Sequence, residues 1–294
     1  GIEQADAVLL IGTNPRREAA VLNARIRKAW RASGIPVGLV GEAADLTYPV
    51  THLGTDVAAL AALAEGQGPF ADVLRNAKKP MIVVGEAAVS GPAGADVLAL
   101  AAAIADASGA LSLEWNGFAV LHNAAGRVGA LDIGFVPEKD WYDTAGMIAA
   151  AGRGDLDVLF LLGADEFDMS ALGETLVVYI GTHGDAGAHR ADVILPAATY
   201  TEKSATYVNT EGRVQVTTRA VFPPGEAKED WAIIRALSAV AGATLPFNSL
   251  TQLRAAIYVQ YPHLARLDSI APGDFGAVKK LGRIPAKPRQ AQLG

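Results

Sequence analysis

The sequence predicts an α/β protein of two doubly wound, mainly parallel lobes. Three observations carry that expectation. Short apolar runs ending at a strand-terminating residue recur along the chain. Segments with helical periodicity lie between them. The runs are apolar on both faces, as central strands of a parallel sheet are. At 294 residues the chain can bury two moderate cores, and 51% hydrophobic against 19% charged residues gives it the apolar surface to do so.

The first run is Ala7-Val8-Leu9-Leu10-Ile11-Gly12, the second Pro36-Val37-Gly38-Leu39-Val40-Gly41, the third Met81-Ile82-Val83-Val84-Gly85. Val158-Leu159-Phe160-Leu161-Leu162-Gly163 is the fourth, followed by Leu176-Val177-Val178-Tyr179-Ile180-Gly181 and Asp192-Val193-Ile194-Leu195-Pro196. Between them, Asn14 is placed to cap a helix whose first position is Pro15, where a missing N–H costs nothing. Leu22, Ile26 and Ala29 then share a face, and Gly34 ends the run. Asp96 to Ala107 is rich in Ala and Leu, suited to a helix packed closely on a sheet. A further helix is expected after Pro223-Pro224-Gly225, with Glu226, Glu229 and Asp230 in its first turn, where the dipole favours anions. Its buried stripe would be Trp231, Ile234, Leu237 and Ala241, closed by Gly242.

The first and fourth strands share a pattern, six mostly aliphatic residues followed by Gly-Thr13-Asn14 or Gly-Ala164-Asp165. We read it as a weak internal repeat. The expected division is a first lobe over 1–152 and a second over 153–243, with a hairpin near 205–218. Residues 244–294 read as an irregular tail whose end, from Pro285 to Gly294, is frayed and basic.

Composition excludes several classes. The formal charge of −6 and pI near 5.4 offer no basic surface for nucleic acid. The absence of cysteine removes disulfides, thiolate nucleophiles and iron–sulfur ligation by thiolates from this segment. No apolar run is long enough to cross a bilayer, so direct membrane insertion is not expected. The chain begins with Gly1 and enters a strand at once, without a signal peptide, which reads as a piece of a longer polypeptide.

Three loops are candidates for chemistry. Gly12-Thr13-Asn14-Pro15 and Gly163-Ala164-Asp165-Glu166 lie at carboxyl ends of strands, the ligand-binding edge of open α/β sheets. Arg16 and Arg17 suit the first to an anion, whereas Asp165, Glu166 and Asp168 suit the second poorly. Ordinary strand–helix turns account for both equally well, since neither has G-x-G-x-x-G or Walker spacing. The third, Asn209-Thr210-Glu211-Gly212-Arg213, is a hairpin turn in which Asn209 and Gly212 tolerate positive φ. It is alternatively a loop whose Asn209 and Arg213 hold a polar ligand. His183 and His189 have no metal-ligand spacing, and no catalytic set stands out.

Two stretches carry a family likeness. Gly1 through Pro15 with Ala24-Arg25-Ile26-Arg27-Lys28, and Ala191 through Ala198 with Asn209 through Gln215, resemble the molybdopterin oxidoreductase fold. Asn23 to Lys28, Asp45-Leu46-Thr47-Tyr48 with His52-Leu53-Gly54, and Leu121-His122 with Val128 to Gly134 look like the large (75 kDa-type) iron–sulfur subunit of respiratory complex I. The run from Tyr200 to Arg213 is the most specific of these. The resemblance implies a non-catalytic scaffold part of a subunit that passes electrons from NADH towards quinone. The 2Fe–2S and 4Fe–4S clusters of the parent subunit would lie outside this segment, which itself would hold no cofactor. Its partners would be other subunits of the hydrophilic arm, on the cytoplasmic side of a bacterial membrane or the matrix side of a mitochondrial one. In pterin-binding relatives, positions matching Gly12, Asn14, Asp192, Asn209 and Arg213 would line the nucleotide pocket; here they are carried over as vestiges. The alternative is the pterin-binding part of a molybdenum enzyme of the formate dehydrogenase type. The basic face of Arg16, Arg17, Arg25, Arg27, Lys28 and Arg31 is a candidate docking surface or a solvated one.

Overall fold

A computed structural model describes residues 1–270 and 273–293. They fall into two compact units, which divide at Arg127/Val128 and not at the expected position near Gly152.

In the first unit, β1 (Ala7–Ile11), β2 (Val37–Val40), β3 (Thr51–Gly54), β4 (Pro80–Gly85) and β5 (Phe118–Leu121) form one sheet. Its order is β3-β2-β1-β4-β5, and every pairing is parallel. The chain order reverses at β1, so the β1/β4 boundary is the switch point where open sheets bind ligands. Strands β3 and β5 were not foreseen: Thr51–Gly54 is mixed in composition, and Phe118–Leu121, though apolar, is only four residues long and ends in no glycine. Helices α1 (Pro15–Glu18), α2 (Ala20–Ser33), α3 (Val57–Ala64), α4 (Pro69–Asn76), α5 (Glu86–Ser90) and α6 (Gly94–Ala107) lie between them.

Strand alternation sorts the core into two layers. Leu9, Ile11, Ile82 and Val84 pack with Leu60, Phe70, Leu100 and Ile104 from α3, α4 and α6. Val8, Leu10, Leu39 and Val83 pack with Ile26 and Ala29 from α2. Leu9, Leu10 and Ile11 are fully buried, each contributing roughly 1.5–3 kcal/mol of transfer free energy. The single helix expected from Pro15 to Gly34 is broken: Ala19, at φ −147°, separates α1 from α2. Gly34 closes α2 in the left-handed conformation, as expected.

The second unit takes in α8 (Thr144–Gly152), preceded by the short α7 (Arg127–Asp132) at the division. Its sheet is β6 (Val158–Leu162), β7 (Leu176–Gly181) and β8 (Val193–Pro196), parallel, in the order β6-β7-β8. Ala151 of α8 sits in the core with Leu161, Val177 and Tyr179, which is why 128–152 goes with this unit. The α9 helix (Ala186–Arg190) covers the same face through Ala188. The opposite face departs from expectation. Val158, Phe160 and Leu162 are 44–47% exposed, so β6 is not buried on both sides.

The hairpin is present: β9 (Thr206–Val208) pairs antiparallel with β10 (Val214–Val216). Val208 and Val214 pack on Leu264. The helix after Pro224 starts later than expected. Residues before it are drawn alongside β8, where Lys228 donates its N–H to Pro196 O and accepts from Ala198. Helix α10 therefore spans Asp230–Val240, leaving Glu226 upstream of its first turn. Ile234 and Leu237 are 37–38% exposed, not a buried stripe.

The tail is more ordered than its sequence pattern suggests. Helix α11 (Leu250–Gln260) is capped by Ser249, whose hydroxyl accepts from Gln252 N–H, and α12 (Phe275–Leu281) by Asp274. Gln292 bridges to Asp56, and Leu293 is 3% exposed in the first unit's core. Of the segment expected to fray, Gly294 lies outside the described residues, as do Ala271 and Pro272 in the tail.

Candidate functional site

The loop after β1 begins at Gly12, at φ +51°, whose N–H donates to Val40 O at 2.8 Å. Because α1 ends after one turn, the Glu18 side chain folds back over the loop. One carboxylate oxygen accepts from Asn14 N–H at 2.7 Å, the other from the Thr13 hydroxyl at 2.8 Å. The Asn14 side chain makes no cap, and its Oδ1 is buried without a hydrogen-bond partner. A cavity of about 710 Å³ opens beside the loop, bordered by Arg16 and Arg17 but also by Glu18, Glu42 and Asp45. Arg16 is spent on Asp45, at 2.7 Å. Two donors a phosphate would use, the Asn14 N–H and the Thr13 hydroxyl, already carry the chain's own carboxylate. Sequence reasoning missed Glu18, although a carboxylate four residues after Asn14 is within reach of a one-turn helix start.

The loop after β6 repeats the geometry. Gly163, at φ +59°, donates to Ile180 O at 2.8 Å, as Gly12 does to Val40. The chemistry differs, because Asp165 turns inward and accepts from Gly187 N–H at 3.0 Å. A cavity of about 250 Å³ lies here, bordered by Asp165, Glu166, Asp185, Tyr179 and the Lys203–Asp230 ion pair. Burial raises the Tyr179 phenol above its ordinary pKa, and the charges of Asp165, Asp185 and Glu166 raise it further.

The remaining candidates are structural in their contacts. Asp192 precedes β8, at the amino edge of the sheet. Its carboxylate accepts from Val177 N–H at 2.8 Å and from Arg190 at 3.2 Å, and the first of these holds it below the usual carboxylate range. Asn209 and Arg213 are brought together: Asn209 Oδ1 accepts from Arg213 N–H at 2.9 Å, and Asn209 N–H donates to Arg213 O at 3.0 Å. Gly212 is the turn residue at positive φ, +79°; Asn209 is not, because its side chain closes the turn. His183 bonds Thr182 at 2.8 Å, and no metal-holding cluster of His, Asp or Glu occurs among the described residues. On the basic helix, Arg25 grips Glu3 with two bonds of 2.7 Å and Arg27 reaches Thr47 O. Together with Arg16, half of the six cations are held by the chain itself.

A sequence profile for molybdopterin oxidoreductases matches residues 1–240. The chain belongs to the molybdopterin oxidoreductase family. Within it, similar proteins include the mitochondrial NADH-ubiquinone oxidoreductase 78 kDa subunit of Neurospora crassa, 45% identical over 96% of this chain and 37% of that protein. The mitochondrial NADH dehydrogenase [ubiquinone] iron-sulfur protein 1 of Solanum tuberosum is 45% identical over 94% of this chain and 36% of its own. The NADH-ubiquinone oxidoreductase 75 kDa subunit of Reclinomonas americana is 41% identical over 97% and 42%. This chain thus spans well under half the length of these relatives. Among solved structures, a chain of the formyltransferase/hydrolase complex from Methylorubrum extorquens matches with TM-score 0.51 and 21% identity, over 77% of this chain and 72% of that one. Acetylene hydratase from Pelobacter acetylenicus matches at 0.50 and 12%, over 83% and 48%. These two likenesses concern the fold, and they agree with the parallel α/β layers of this molybdopterin oxidoreductase family member.

Proposed function

We propose that this chain is a scaffold part of the large iron–sulfur subunit of NADH:quinone oxidoreductase. Electrons on their way from NADH to quinone pass through 2Fe–2S and 4Fe–4S clusters held elsewhere in that subunit. The observation that carries the reading is identity of 41–45% sustained over 94–97% of the chain with subunits of that name.

The chemistry of the two loops supports it. A bound pterin nucleotide presents a pyrophosphate, which needs free N–H and hydroxyl donors at a strand's carboxyl end. In the β1 loop those donors are taken by Glu18. In the β6 loop three carboxylates, Asp165, Glu166 and Asp185, stand where the anion would lie. The residues present do not fit that group. With no cysteine, the chain offers no thiolate for a cluster either.

On this reading the chain works by holding other peripheral-arm subunits in place, on the cytoplasmic or matrix side. None of its described helices is long and apolar enough to cross a membrane. Elemental analysis of the purified intact enzyme tests it. Iron without molybdenum or tungsten is the expected result, and molybdenum in stoichiometric amount overturns it.

A further inference from the structure

We propose that the uncovered face and free edge of the second sheet receive a further strand and helix of the same polypeptide, from outside these 294 residues. The strand pairs parallel with β6, and the helix lays an apolar stripe over Phe160.

A parallel crossover is right-handed in nearly all proteins, so strands added successively in one direction put their connections on one face. In the first sheet the order reverses at β1, and both faces are covered. The connections to β2 and β3 lie with α2 on one side, while α3, α4 and α6 lie on the other. The second sheet runs β6-β7-β8 without a reversal. Its connections therefore share one face: Leu172 before β7 and Ala188 of α9 pack there with Ala151 of α8. Strand β6 holds the place of β1, since Gly163 meets β7 as Gly12 meets β2. No described strand holds the place of β4, on the other side of β6.

The consequence is an apolar surface. Val158, Phe160 and Leu162 of β6, Leu176 of β7 and Val193 of β8 share the other face by their register, and they are 42–47% exposed. Parallel sheets are covered on both faces, and a contiguous apolar patch marks an interface. The edge is open as well. Asp157 C=O and Gly163 N–H both bond β7. Alternation along the strand therefore points the N–H and C=O groups of Val158, Phe160 and Leu162 to the unpaired side.

The same geometry selects the occupant. An open parallel edge beside a bare apolar face is completed by a strand together with its crossover helix. This chain spans only 36–42% of the length of its relatives, so more than half of such a polypeptide is left to supply the pair. A tethered segment acts at an effective concentration that a separate molecule does not match. Completion in this way rests on the reading of the chain as part of that longer subunit. Molybdenum in the enzyme would defeat the scaffold role and leave the added strand and helix unaffected.

Two measurements on the intact enzyme test it. In hydrogen exchange, the amides of Val158, Phe160 and Leu162 should exchange about a hundredfold or more slowly than unpaired amides. Exchange at the unpaired rate overturns the proposal. A benzophenone side chain in place of Phe160, irradiated in the assembled enzyme, should crosslink to the same subunit at a residue outside 1–294. Attachment to another subunit, to a second copy, to a residue within 1–294, or to nothing overturns it. If the bulkier ring at Phe160 blocks assembly, the same group at Leu176 reads the same face, and the exchange measurement needs no substitution at all.

Discussion

The Tyr48 hydroxyl donates to Asn23 Oδ1 at 2.8 Å, and both residues are under 9% exposed. Asn23 in turn donates from Nδ2 to Leu46 O at 3.2 Å, so one buried amide ties α2 to the segment between β2 and β3. Replacing Tyr48 by Phe leaves the Asn23 oxygen desolvated and unpartnered, which costs about 1–3 kcal/mol. The double variant Asn23→Leu, Tyr48→Phe should lose less than the sum of the two single losses, because no orphaned polar atom remains on that bond. Chemical denaturation of the four proteins measures both quantities.

The Arg25 guanidinium, followed by the Glu3 backbone N–H, holds the Glu3 carboxyl down to about 2. A depressed folded-state pKa gives stability that is present above the unfolded value of roughly 4.3 and is lost as pH falls towards 2. Both side chains are 35–40% exposed, so solvent screening keeps the contribution under about 1 kcal/mol. Glu3→Gln should flatten the stability profile between those limits, losing up to about 1 kcal/mol at neutral pH and converging on the parent protein near pH 2, as acid titrations of unfolding would record.

Gly85 ends β4 against the β1 loop, where an added Cβ would lie 2.1 Å from Gly12 O. Backbone cannot yield as a side chain does, so Gly85→Ala should cost about 3 kcal/mol or more, or prevent folding. Gly34→Ala is the control: its φ is +66° with open space around it, and the strain there costs about 1 kcal/mol. Thermal melts of the two variants should differ accordingly.

Asn209→Ala removes the acceptor that closes the hairpin turn on Arg213 N–H, a loss of about 1 kcal/mol. Arg213→Ala removes the guanidinium that donates to Asp268 O. On the scaffold reading both variants lower the yield of assembled enzyme and leave turnover per assembled complex intact. Quinone-reduction assays normalised to assembled enzyme check this; a large fall in turnover would count against it.

The parallel sheets were legible because each central strand is a run of aliphatics, and a strand covered by helices on both faces needs that composition at every position. Leu9 and Leu10 point to opposite layers and are both fully buried. The Ser249-x-x-Gln252 cap of α11 is an equally local signal, but the apolar periodicity that follows it is too weak to mark a helix. The acidic character of the Asp165–Glu166 loop was legible, but the bonds Glu18 makes to Thr13 and Asn14, and the place of Asp185 beside that loop, were not. Each depends on where a short helix stops, which neighbouring backbone decides.

The sequence by itself determined the six aliphatic strands, the left-handed glycines Gly12 and Gly163 that end two of them, the hairpin and the family. Those features rest on local sterics and on apolar patterning, both written residue by residue. Tertiary structure alone decided that Leu293 returns to the first core and that 128–152 joins the second. These outcomes turn on contacts between residues far apart in the chain, whose energies no local pattern encodes.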